Sequence, residues 1–275
     1  MKSTSIAAVA AALSLAALSY SAEATEPNAG HVIASAEAPE MTHGSDHSPH
    51  WTYSGEGGPE VWGDLSGEFR TCKKGQLQSP IDLSGGVGAA GTPIEFDYHL
   101  SPLEILNNGH TVQVNYAPGS GIMVEGKRFE LLQFHFHSPS EHFVDGKQAS
   151  MELHLVHKSA EGELAVVAVL FDNGSENLAL REIWQEMPRH VSEPNPHAGV
   201  LINARDLLPE GAQYYRYMGS LTTPPCTEGV NWFVMADPVP ASIGQVLEFS
   251  GAVGPNARPV QLSNHRLVLT PPSAN

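Results

Sequence analysis

In the stretch Leu131-Leu-Gln-Phe-His-Phe-His-Ser-Pro-Ser-Glu-His142, apolar and polar side chains alternate from Leu132 to His137, ahead of Pro139. Residues two apart on a β-strand point to the same side. A strand here puts Gln133, His135 and His137 on one face and Leu132, Phe134 and Phe136 on the other. Two imidazoles at that spacing can reach one metal ion, while the apolar face anchors the strand in a core. A second alternating run, Met151-Glu-Leu-His-Leu-Val-His157, sets Glu152, His154 and Val156 against Leu153, Leu155 and His157. His154 is therefore the candidate third ligand. Glu152 is the carboxylate on its face that can accept a ligand imidazole's other N–H, and His157 reads as a core histidine.

Outward from these strands, short apolar or alternating runs recur at 94–98, 111–116, 121–124, 131–137, 151–157, 164–171, 213–218, 230–236 and 267–269. Gly, Pro and Asn clusters separate them, as strands require. Helical spacing is rare. Leu180, Ile183, Trp184 and Met187 recur at i, i+3, i+4 and i+7 before Pro188, and a weaker pattern lies near 242–247. The fold class is mainly β with a few short helices. Residues 50–275 read as one domain, patterned from 51 to about 272 and large enough to bury a sizeable core.

The N-terminal region reads differently. Lys2 precedes an apolar stretch from Ile6 to about Leu18, and Ala22-Glu-Ala24 supplies small residues for cleavage. Residues 1–24 read as a secretory signal peptide. Residues 25–49, rich in Ala, Glu, Ser, Pro and His, read as a flexible arm whose His31, His43 and His47 are solvated tail residues. Export suits the two cysteines, Cys72 and Cys226, which an oxidising compartment would let pair. Such a bridge closes a loop of about 150 residues, for which chain entropy predicts at most roughly 5 kcal/mol. Sequence alone leaves a free buried pair open. The net charge of −16 disfavours nucleic acid and anionic membrane as partners, but leaves a neutral substrate unaffected.

Three neutral imidazoles leave the full divalent charge on a bound zinc and one tetrahedral position free for water, whose pKa then falls to about 7. Hydroxide at neutral pH is a nucleophile that bulk water does not supply. Two rival motifs share the H-x-H pair. Metallo-β-lactamase-like hydrolases need an Asp where Pro139 stands. Cupins match the spacing of His135, His137 and Glu141, but Phe129 replaces their glycine and no second histidine motif follows.

Beyond these residues, the chain resembles the α-class carbonic anhydrases over most of residues 50–270. The resemblance rests on His50-Trp-Thr-Tyr53, Gln78-Ser-Pro-Ile81, Leu106-Asn-Asn-Gly-His110, Gln133-Phe-His-Phe-His137 and Ser140-Glu-His142. It continues through Glu152-Leu-His-Leu-Val-His157, Gly219-Ser-Leu-Thr-Thr-Pro-Pro225 and Asn256-Ala-Arg-Pro259, all in the family's order. It implies a large twisted, mostly antiparallel sheet with a few peripheral helices and a conical zinc cleft. The implied activity is reversible hydration of carbon dioxide to bicarbonate and a proton by a zinc-bound hydroxide.

The resemblance also assigns roles. His135, His137 and His154 become the zinc ligands, with Gln133 and Glu152 as their partners. Thr222 becomes the gatekeeper that donates to Glu141 and orients the hydroxide. Val156, Val166, Leu221, Thr223, Val230 and Trp232 match the carbon dioxide pocket. His110 matches the proton shuttle, an imidazole whose ordinary pKa near 6.5 suits proton transfer at neutral pH. Tyr53, Asn108 and, more loosely, Gln113 match its water path. Exported bacterial members often carry a disulfide at positions like Cys72 and Cys226, so the periplasm is the implied location, and a homodimer fits the same comparison.

Overall fold

The computed structural model describes residues 50–272 except 89 and 90. The signal peptide and arm expected at 1–49, with His31, His43 and His47, fall outside the described residues. Among the described residues, no helix is long and apolar enough to cross a membrane.

Fifteen strands follow in chain order among the described residues. They are β1 (Val87–Gly88), β2 (Glu95–Asp97), β3 (Ser101–Asn107), β4 (Val112–Asn115), β5 (Gly121–Val124), β6 (Lys127–His137), β7 (Phe143–Val144) and β8 (Lys147–Gln148). There follow β9 (Met151–Ser159), β10 (Leu164–Asn173), β11 (Asn195–Ile202), β12 (Tyr214–Ser220), β13 (Glu228–Met235), β14 (Val239–Ala241) and β15 (Leu269–Thr270). The helices are short: α1 (Trp62–Leu65), α2 (Thr71–Lys74), α3 (Leu178–Gln185) and α4 (Ile243–Val253).

One large sheet runs in the spatial order β1-β15-β12-β13-β10-β9-β6-β4-β3-β11. Its pairs are mostly antiparallel, but β10 lies parallel to β13 and β14, and β1 parallel to β15. The sheet is therefore mixed. Strand alternation gives it two different faces. Phe134, Phe136, Leu153, Leu155, Val167, Val169 and Phe233 point to one side, where Leu180, Ile183 and Trp184 of α3 and Phe249 of α4 cover them. Burying each such side chain contributes roughly 1.5–3 kcal/mol. The opposite face carries Val166, Ala168, Tyr217, Val230 and Trp232 around the histidines.

One expectation is corrected by the register. The alternation placed Leu132 in the core beside Phe134, yet Leu132 is 43% exposed. A register shift between Leu131 and Gln133 changes the phase of β6. Phe129 and Leu131 are buried before the shift, Phe134 and Phe136 after it, all on the same core. A bulge of this kind moves every later side chain by one position. The strands β1, β3, β7, β8, β11 and β14 fall outside the runs expected from the sequence. In β3, Ser101, Leu103, Ile105 and Asn107 alternate regularly as buried positions, but two of them are polar and Pro102 lies within the strand, which hides the period-two pattern. In β11, an edge strand paired only with β3, most residues are exposed and the register shifts, so no period-two signal exists.

The helical patterns are capped as their sequences suggest. Asn177 accepts from the Leu180 N–H at the start of α3. Ser242 and Gln245 form a reciprocal capping box at the start of α4.

Candidate metal centre

Three rows of cross-strand neighbours build the site on one sheet face. The middle row runs Gln113–His135–His154–Ala168–Val234 across β4, β6, β9, β10 and β13. One row along, Gln133, Val156, Val166, Trp232 and Tyr217 are paired neighbours from β6 to β12. The third row joins His137, Glu152 and Leu170. Successive rows on one face are about 6.7 Å apart. His135, His137 and His154 thus meet at a single point because they occupy adjacent rows of adjacent strands.

Each imidazole has one nitrogen already engaged. His135 Nδ1 lies 2.9 Å from Gln133 Oε1, His137 Nδ1 2.8 Å from the Asn256 carbonyl, and His154 Nε2 2.8 Å from Glu152 Oε1. These acceptors require N–H on the bonded nitrogens and leave lone pairs on His135 Nε2, His137 Nε2 and His154 Nδ1. One ligand nitrogen from each histidine lies within 4.8 Å of the others. His137 Nε2 is buried without a hydrogen-bond partner. A buried lone pair with no partner is costly, and a divalent cation among three such lone pairs removes that cost. Burial also lowers the basicity of all three rings, His137 to about 4, and keeps them neutral as ligation demands. The residues therefore fit a zinc ion. A second cluster, His142, Glu152 and His154, is instead committed to hydrogen bonds: Glu152 Oε1 lies 2.6 Å from His142 Nδ1 as well as bonding His154.

Behind the histidines stands a buried polar layer. Glu152 Oε2 accepts the backbone N–H of Glu141 and of His142, each at 2.8 Å. Burial would raise the Glu152 carboxyl, but His142 and His154 outweigh it and hold the carboxyl well below its ordinary range. Burial dominates at Glu141 and pushes it up to about 7, against the lowering effect of His154 and the Arg258 N–H. Glu141 Oε1 accepts that N–H at 2.8 Å, while Oε2 is buried without a partner. Thr222, itself buried, approaches closely enough to favour the ionised carboxyl but stops short of full hydrogen-bond geometry.

Asn256, Arg258 and His142 are the residues that strand reasoning left without roles. Asn256 supplies its carbonyl to His137, and its side chain donates to the carbonyls of Phe136 and His110. Arg258 donates to the carbonyls of Ser79 and Cys72 and lies over the Trp62 ring. His142 Nε2 lies 2.6 Å from Tyr217 Oη, which donates to Ser79 Oγ. Their quoted motifs were visible, but no local period marks them.

The remaining residues fall around this centre. Val156, Val166, Leu221, Val230 and Trp232 join one apolar cluster, and the Trp232 ring is 4.9 Å from that of His154. Thr223 lies in the next turn, where its carbonyl accepts the Cys226 N–H at 2.8 Å. The turn between β3 and β4 carries His110. Asn108 Oδ1 accepts the backbone N–H of both His110 and Thr111 at 2.9 Å, so Asn108 shapes the turn itself. Gly109 takes φ +87° there, which only glycine adopts without strain. Gln113 donates to Asn115 at 2.7 Å. Tyr53 lies near Glu141, whose charge, after burial, raises the phenol's pKa. Cys72 and Cys226 form a disulfide with Cα atoms 5.0 Å apart, tying α2 to the segment after Thr222.

The family model for eukaryotic-type carbonic anhydrase matches residues 57–271. The chain belongs to this family. Its α-class members are zinc enzymes, and the chain is of the same enzyme class. It is 43% identical over 224 residues to a carbonic anhydrase of Pectobacterium carotovorum, covering 81% of this chain and 91% of that protein. A Nostoc carbonic anhydrase is 45% identical over 225 residues, covering 80% and 85%. Among solved structures, the α-carbonic anhydrase of Thermovibrio ammonificans, in complex with the inhibitor sulfanilamide, superposes with a TM-score of 0.78. That likeness holds at 46% identity over 81% of this chain and 99% of the other. The mixed sheet described above is thus the α-carbonic anhydrase fold.

Proposed function

We propose that the protein catalyses the reversible hydration of carbon dioxide to bicarbonate and a proton, with His135, His137 and His154 holding zinc. The observation that carries this reading is the convergence of three lone pairs, one of them the unpartnered His137 Nε2, beside an apolar cluster. Zinc bound there supplies a strong local positive charge and lowers the pKa of a coordinated water to about 7.

The chain's own residues supply orientation and a dry site. Gln133, Glu152 and the Asn256 carbonyl fix the tautomer and tilt of each ligand ring. The Arg258 N–H anchors Glu141, which leaves Oε2 free to accept the Thr222 hydroxyl proton. A hydroxyl whose proton is so committed must accept from the attacking oxygen, which aims that oxygen's lone pair at the substrate. Val156, Val166, Leu221, Thr223, Val230 and Trp232 form the wall for carbon dioxide, a neutral, linear molecule that gains from apolar contact and pays no charge desolvation. His110, half-buried on its turn, takes the proton released in each cycle and passes it outward, with Tyr53, Asn108 and Gln113 lining its path.

Export to the periplasm agrees with the Cys72–Cys226 bridge, since such bonds persist in oxidising compartments. Stopped-flow carbon dioxide hydration with metal analysis of the same sample tests the function. One zinc per chain with hydration lost in His135→Ala is expected, and full activity in metal-free protein would overturn it.

A further inference from the structure

We propose that Arg258 is a positioning residue whose guanidinium keeps Glu141 and Thr222 in register, by tying the supports of both to one rigid group. This rests on the carbon dioxide hydration reading, in which Thr222 and Glu141 orient the attacking oxygen. The two side chains come from distant parts of the chain. The Thr222 hydroxyl approaches Glu141 without reaching full hydrogen-bond geometry. Their spacing is therefore set by what holds each of them.

Arg258 touches the supports of both. Its backbone N–H donates to Glu141 Oε1 at 2.8 Å. Its buried side chain donates through Nη1 to the Ser79 carbonyl at 2.7 Å and through Nη2 to the Cys72 carbonyl at 3.1 Å. Each carbonyl leads to one end of the Thr222 segment. Ser79 donates its N–H to Ser220 Oγ at 2.9 Å and accepts the Ser220 N–H on its own Oγ at 3.0 Å, just ahead of Thr222. Cys72 is bonded to Cys226, just beyond Thr222. Gln78, next to Ser79, also donates to the Cys226 carbonyl at 3.1 Å. Thr222 thus hangs between two anchors, Ser220 and Cys226, and both lead back to one guanidinium. That group is planar and presents its donors at a fixed separation, so it sets the distance between two carbonyls as a single ammonium does not. The Trp62 ring, with its centroid 5.6 Å from the guanidinium carbon, confines it from one face.

The test compares four zinc-loaded full chains: the parent, Arg258→Lys, Thr222→Val and the double variant. Arg258→Lys keeps the charge and replaces the fork by one nitrogen. It should lower kcat/KM about 10-fold, short of the ~100-fold cost of a 1 Å misplacement, with zinc content at the parent level. In the Thr222→Val background the same change should cost about 2-fold or less, because the hydroxyl being positioned is gone. Hydrogen exchange on the zinc-free protein gives a second reading: the amides of residues 258 and 226 should exchange faster in Arg258→Lys. Ser220→Ala cuts one anchor without touching Arg258 and should repeat the pattern, with a loss that vanishes in Thr222→Val. It keeps the test open if Arg258→Lys does not fold. Equal fold losses in both backgrounds, or a kcat/KM for Arg258→Lys within about 2-fold of the parent's, would overturn the role. Hydration by the parent with such additive losses would remove the Arg258 role alone. No hydration by the parent would remove the functional reading, and this role with it.

Discussion

Glu152 Oε1 lies 2.8 Å from His154 Nε2 and so holds the ring from behind. The same oxygen is 2.6 Å from His142 Nδ1, and the other oxygen takes two backbone N–H groups. Both carboxylate oxygens are thus engaged, and the fixed carboxylate sets the orientation of His154. Replacing such a partner of a ligand histidine typically costs 10–100-fold in metal affinity. Glu152→Gln should weaken zinc binding by about that factor in competition with a chelator. Unchanged zinc affinity would show that the strand geometry alone positions His154.

Thr222→Val keeps the shape of the side chain and removes its hydroxyl. Zinc content should stay at the parent level, because Thr222 is not among the three converging histidines. Loss of orientation at the attacking oxygen should lower kcat/KM on the order of 100-fold. A rate close to the parent's would leave Glu141 and Thr222 with a purely structural role.

His110→Ala should lower kcat in dilute buffer while sparing kcat/KM. Added imidazole should restore part of the rate, since a free imidazole can replace the missing carrier. A kcat insensitive to both the substitution and the buffer would place the proton exit elsewhere.

His157 gives the fold a built-in sensitivity to acid. The ring is fully buried, its Nε2 2.8 Å from Tyr98 Oη and its Nδ1 3.3 Å from the Ala165 carbonyl. Burial drives its pKa down to about 3, whereas an unfolded histidine titrates near 6.5. The unfolded chain therefore binds the proton first. Stability is whole above pH ~6.5 and falls as pH drops toward 3, by up to ~1.4 kcal/mol per pH unit. Denaturant unfolding of His157→Gln should show a shallower decline over that window, whatever its stability at neutral pH. Parallel curves would refute the role.

The disulfide closes a loop across 154 positions. Chain entropy for a loop that long gives at most ~5 kcal/mol, and native bridges typically contribute 2–5. Cys72→Ser with Cys226→Ser should lower the unfolding free energy within that range. Because the bridge ends beside the Thr222 segment, kcat/KM should fall at temperatures where the variant is still folded. A loss of stability without any loss of rate would separate the bridge from the site.

Much of the centre was legible because strand periodicity is a local property. Gln133, His135 and His137 share a face through backbone geometry that spans five residues, and Glu152 and His154 do so on β9. The same period-two reading erred at Leu132, where the register shift in β6 inverts the phase; the adjacent Leu131 and Leu132 mark the break but do not say which of the two is buried. The sequence by itself determined which residues could be ligands, which strands carry the core, and, through its ordered motifs, the resemblance to the family.

Only the tertiary structure decided what stands behind and beside the ligands. The Asn256 carbonyl reaches His137 across 119 positions, and the Arg258 N–H reaches Glu141 across 117. Trp51 comes to the face of His110 from the start of the domain. Such pairs depend on how the ends of the chain pack against the finished sheet. No repeat along the backbone encodes that packing, since it is set by the burial of many side chains at once.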